Sequence, residues 1–73
     1  MQEIEMLPVK SGIISEIGWS KDTLRVKFPT GRVYDYHGII EYKYELIVNA
    51  KSIGSEFKKQ TKGHSYTQVN KQN

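Results

Sequence analysis

Five lysines, Lys51, Lys58, Lys59, Lys62 and Lys71, crowd residues 51–73 against Glu56 as the only acid. Residues 1–50 balance six bases with seven acids, so the whole net charge of +3 belongs to the final third of the chain. Clustered lysines displace counterions from a phosphate backbone, and a polyanion is the partner that suits them. Lys58, Lys59 and Lys62 form the densest group. Tyr66 follows them across Lys62-Gly63-His64, in a polar stretch that offers an aromatic ring little to pack against. A ring left in water there can stack on a base while the neighbouring ammonium groups meet phosphates. Arg25 and Lys27 project from a strand face opposite the core and are auxiliary candidates for the same surface. The plainer alternative is a solvated lysine-rich end that keeps a small protein in solution.

Other chemistries are poorly supplied. A nucleophilic triad needs Ser, Thr or Cys beside a histidine oriented by an acid, and His37 and His64 stand in no nucleophile signature. Asp35 and His37 fall at i, i+2 on one strand face, a spacing that describes a solvent-facing pair. Two isolated histidines without cysteine are too few for a zinc site. The six glycines form no phosphate loop. No enzyme activity, metal or cofactor is expected.

The elements that must position these groups fit one small core, since 73 residues with 37% apolar side chains cannot fill two domains. With no cysteine to staple it, a reducing cytoplasmic setting is expected. Neither a signal peptide nor an apolar run of membrane-spanning length is present, so no membrane partner is expected.

Residues 1–10, with Pro8, read as an extended arm or edge strand. Ile13, Ile17 and Trp19 share one strand face, with Ile14, Glu16 and Gly18 on the other. Ser20-Lys21-Asp22 is turn chemistry. Leu24, Val26 and Phe28 alternate with Thr23, Arg25 and Lys27 in the clearest strand, and Pro29-Thr30-Gly31 turns the chain into a third strand over 32–37. From Ile40 the spacing of Tyr44, Ile47 and Val48 is helical and predicts a helix to Ala50. A second, short helix follows Ser52 as N-cap, carrying Ile53 and Phe57 inward. The predicted fold is α+β: a three-stranded antiparallel meander with one main helix and a short second helix packed on one face. Its inward set comprises Ile13, Ile17, Trp19, Leu24, Val26, Phe28, Tyr34, Tyr36, Tyr44, Ile47, Val48, Ile53 and Phe57. Residues 11–66 form the domain, and 67–73 are expected to be a flexible basic tail.

The motif order resembles the KTSC domain. The likeness rests on Leu24-x-Val26-x-Phe28-x-x-Gly31-x-x-Tyr34-x-Tyr36-x-Gly38-Ile39, followed by Tyr44, Ile47, Val48, Asn49-Ala50-x-Ser52-x-Gly54-x-x-Phe57 and Lys62-Gly63 before Tyr66. It departs from the family pattern at Ile40, where proline usually opens the helix, at Lys43, which replaces an apolar residue, and at Thr61, which replaces an aliphatic one. The family occurs as a C-terminal extension of some lysyl-tRNA synthetases and as short stand-alone proteins, some phage-encoded. The resemblance implies nucleic-acid contact and no catalytic role. The expected function is a non-catalytic nucleic-acid-binding module, RNA favoured, using Lys58, Lys59, Lys62 and Tyr66 with Arg25 and Lys27. The alternative is a small phage-type protein-interaction factor that binds a host enzyme or defence protein through a strand edge or the arm before Ile13.

Overall fold

In the computed structural model, residues 4–69 are described. They form strands β1 (Leu7–Pro8), β2 (Glu16–Ser20), β3 (Thr23–Lys27) and β4 (Val33–His37), helices α1 (Glu41–Val48) and α2 (Ile53–Thr61), and strand β5 (Tyr66–Val69). The sheet runs in chain order, β1-β2-β3-β4-β5, and every neighbouring pair is antiparallel. The three-stranded meander predicted from the sequence is therefore the centre of a five-stranded sheet. The helices also differ from expectation: α2, with nine residues, is one residue longer than α1, with eight, so there is no main and minor helix.

Both added strands lie at the edges, where pairing needs little apolar patterning. Pro8 has no N–H to give, which an edge position tolerates. β5 carries only Tyr66 and Val69 as large apolar groups, yet it completes the ladder that β4 leaves open, with Tyr36 opposite Tyr66 and Val33 opposite Val69. Residues 67–69 thus belong to the sheet and not to the flexible tail expected for 67–73. Residues 70–73, Lys71 included, lie outside the described part.

The core sits between the sheet and the helices. Ile17, Leu24, Val26 and Ile47 are fully buried there, as the period-two and helical spacings require. Two further isoleucines join them against expectation. Strand parity puts Ile14 on the outer face, but β2 begins only at Glu16. Residues before it follow a turn in which Ser11 Oγ accepts the N–H groups of Ile13 and Ile14. Ile39, absent from the predicted inward set, is pinned at both ends. Its N–H donates to the Asp22 carbonyl, and its own carbonyl accepts Trp19 Nε1–H at 2.6 Å.

On the outer face, residues 4–6 cross the sheet at Gly18. A Cβ on Gly18 would stand 2.8 Å from Ile4 Cγ2 and would collide with the Glu5 carbonyl, so only glycine admits the crossing. Between β2 and β3, Lys21 and Asp22 both take positive φ, +47° and +60°, the geometry that matches a two-residue hairpin to strand twist.

Aromatic rings tie the helices to the sheet. Trp19 stacks on Tyr44 of α1 with ring centres 6.3 Å apart. Phe57 of α2 meets Phe28 and Tyr36 edge-on, at 6.0 and 5.3 Å. Tyr36 in turn meets Tyr66. Burial raises the Tyr36 phenol above its usual value, and the neighbouring Tyr66 and Tyr34 add to the shift; burial alone raises Tyr44.

Gly18→Ala is expected to lower the unfolding free energy by about 1–3 kcal/mol in urea, as overpacking does. Gly12→Ala, whose Cβ would meet nothing within 4 Å, serves as the control with little change. Since Tyr36 and Tyr44 ionise higher when folded than when unfolded, their contribution is intact below about pH 10 and is lost as pH rises through the folded values. The urea midpoint is expected to fall over that window, and less steeply in Tyr36→Phe.

Candidate nucleic-acid interface

Local sequence fixes how α2 presents its lysines. Ser52 caps the helix by accepting the Ser55 N–H, and its hydroxyl donates to Ser55 Oγ. Ile53, Phe57 and Thr61, four residues apart, share the inward face; Phe57 and Thr61 are buried. Thr61, in the place of an aliphatic residue, satisfies its hydroxyl by donating to the Phe57 carbonyl at 2.7 Å. With that stripe turned to the sheet, Lys58 and Lys59 are left in water, and Lys62 is exposed at the C-cap. None of the three has an ion-pair partner among the described residues.

The three lysines do not all point one way. Successive helix residues are turned about 100° from each other, so Lys58 and Lys59 occupy different flanks. Lys58 lines a cleft with Lys10 and Lys51, between residues 10–13 and the start of α2. Close approach at Gly54 makes this neighbourhood: a Cβ there would lie 2.9 Å from Ile13 Cγ1 and 3.4 Å from Ser11 Oγ. Lys10 and Lys51 lie outside the candidate set that the sequence suggests. A signal for them exists in Lys10-Ser11-Gly12 and Lys51-Ser52-x-Gly54, two short runs that combine a cation, a hydroxyl and a glycine.

Tyr66 stands on the α2 side of the sheet, since its ring touches Tyr36 and Tyr34 and the Tyr36 ring touches Phe57. It packs against two rings at the sheet edge, yet stays 60% exposed. The link from α2 into β5 is held by His64. Its Nδ1–H donates to the His37 carbonyl, while Nε2 accepts from the Lys43 ammonium at 3.1 Å. Both ring nitrogens are thereby committed to structure. Lys43, polar where the family pattern is apolar, acquires its role in this bond.

Arg25 and Lys27 lie on the opposite face, away from Tyr66 and α2. Arg25 makes a two-pronged bond to Asp35, at 2.7 and 2.9 Å, across the β3–β4 pair. The hydrogen bond to Asp35 lifts the guanidinium above its ordinary value, burial opposes it, and the Asp35 charge assists. Lys27 Nζ is 3.9 Å from a Glu16 carboxylate oxygen. Helix α2, with Lys58 and Lys59 on different flanks and Lys62 at its end, thus packs on the face of the sheet that carries Tyr66, whereas Arg25 and Lys27 lie on the other face, each beside an acid. Asp35 is matched with Arg25, and His37 Nε2 instead shares a hydrogen bond with Thr67 Oγ1. Among the described residues no group of three or more His, Asp or Glu side chains stands close enough to hold a metal ion, and no helix is long and apolar enough to cross a membrane.

Comparison with known proteins extends the sequence resemblance. The KTSC domain model matches residues 10–66. A crystal structure of a KTSC domain protein from Yersinia pestis superposes with a TM-score of 0.85 at 27% sequence identity, covering 93% of this chain and 100% of that one. No curated protein matches the sequence. With the motif order, the family match over most of the chain and the shared sheet and helices in agreement, the chain belongs to the KTSC domain family.

Proposed function

We propose that the protein is a non-catalytic module that binds single-stranded nucleic acid, RNA ahead of DNA, on the face formed by α2 and the β5 edge. The observation that carries this reading is the exposed ring of Tyr66 on the sheet face against which α2 packs, the helix that bears Lys58 and Lys59 on its flanks and Lys62 at its end, with no ion pair to any of the three among the described residues. Tyr34 and Tyr36 brace the ring from behind, so stacking a base on it requires little new ordering. The preference for RNA rests on the family's occurrence beside lysyl-tRNA synthetases. Arg25 is already bound to Asp35 and contributes little to such a surface.

A second reading, a small phage-type factor that binds a host enzyme or defence protein, is favoured by the position of β5 at the end of the sheet. Its residues Tyr66–Gln68 are exposed, and a partner strand can add there. The arm before Ile13 is less suited than expected, because its Leu7–Pro8 segment is paired with β2. A pull-down from nuclease-treated lysate separates the readings: one stoichiometric protein supports the factor, and loss of every partner supports nucleic acid.

Binding of a labelled single-stranded RNA, followed by anisotropy, is expected to weaken linearly in log–log form with salt, with a slope of about −0.7 for each phosphate neutralised. Lys59→Ala and Lys62→Ala are each expected to reduce that slope by about 0.7, whereas Tyr66→Ala weakens binding without changing the slope. Affinity indifferent to salt and to all three substitutions contradicts the proposal.

A further inference from the structure

The cleft between residues 10–13 and the start of α2 is lined by lysines and serines. It is an open concavity of about 360 Å3, and Lys10, Lys51 and Lys58 line it together with Ser11, Ser52 and Ser55; no acid is among its lining residues. None of the three lysines forms an ion pair among the described residues. The serines have donor capacity to spare. Ser11 Oγ accepts two backbone N–H groups and Ser55 Oγ accepts the Ser52 hydroxyl, so in these bonds the hydrogens of Ser11 and Ser55 remain uncommitted.

We propose that this cleft is a binding site for a phosphate monoester. A phosphodiester carries a single negative charge, whereas a monoester carries about −1.5 to −2 at pH 7 and presents three terminal oxygens. Three lysines that line one concavity and form no ion pair among the described residues match the more highly charged group, and two free hydroxyl donors match its extra acceptors. The walls are fixed in advance: the Ser11 turn sets one side, the Ser52 cap sets the other, and Gly54 brings them together. Such a group occurs at the end of a nucleic-acid strand and on a free nucleotide. The strand-end source rests on the nucleic-acid reading above; the nucleotide source does not.

The two are distinguished by measuring binding of one RNA sequence carrying a 5′-phosphate, a 3′-phosphate or hydroxyl ends, alongside adenosine monophosphate and inorganic phosphate followed by amide NMR shifts. At least one phosphorylated end is expected to bind about tenfold tighter than the hydroxyl-ended strand, and Lys10→Ala/Lys51→Ala is expected to bring that ratio to one. Both side chains are exposed, so the double variant is expected to fold, which its NMR spectrum checks. Equal binding of all three strands, with no shifts at 10–13 or 51–58 from either small anion, overturns the cleft proposal and leaves the salt-dependent RNA reading standing. Small-anion binding that the double variant loses, without binding of any RNA, upholds the cleft as a nucleotide site and overturns the nucleic-acid reading.

Discussion

Phe57 touches Phe28 and Tyr36 at once, and that double contact decides where α2 lies on the sheet. The ring is 5% exposed, and removing a buried aromatic of this size costs about 3–5 kcal/mol, a large part of the stability of a domain with one small core. Its orientation dictates that of its neighbours. With Phe57 inward, Lys58 and Lys59 have no place but water. Tyr36, supported by Phe57 on one side, supports Tyr66 on the other, so the interior contact is transmitted to the exposed ring. Gly54 completes the constraint at the other end of α2 by admitting Ile13 and Ser11 close to the helix backbone.

The two faces of the sheet treat charge differently. On the outer face, cations are set beside anions: Arg25 with Asp35 in a partly buried two-pronged pair, Lys27 near Glu16. Such pairs cancel locally and leave little field to attract a polyanion. On the α2 side Glu56 bonds Gln60, and Lys58, Lys59 and Lys62 form no ion pair among the described residues, with hydroxyls and an aromatic ring nearby. Net charge alone, at +3, conceals this division.

Much of the centre was legible in the sequence. Leu24 and Val26 show the strand period directly, Ser52 announces the α2 N-cap, and both turns of the meander fall where short polar residues, proline and glycine place them. What escaped depends on partners distant in the chain. β5 has no apolar alternation of its own, and its pairing is supplied by the unfilled edge of β4. Ile14 defeats strand parity because the strand starts two residues later. Lys10 lies 48 positions from Lys58, and only the packing of Gly54 on Ile13 makes them neighbours. Composition suggests Lys58, Lys59, Lys62 and Tyr66 as candidates, but the position of α2 on the sheet, which decides what the flanks bearing Lys58 and Lys59 face, needs the structure.

On the function proposed above, a polyanion meets this protein on the α2 side and leaves the outer face of the sheet untouched. Backbone amide NMR of the whole chain, recorded during titration with a short single-stranded RNA, tests it most directly. Shifts concentrated at residues 58–62 and around Tyr66, with Arg25, Lys27 and Asp35 unmoved, are the predicted result. Shifts confined to the outer-face residues of β3 and β4, or none at saturating RNA, contradict it.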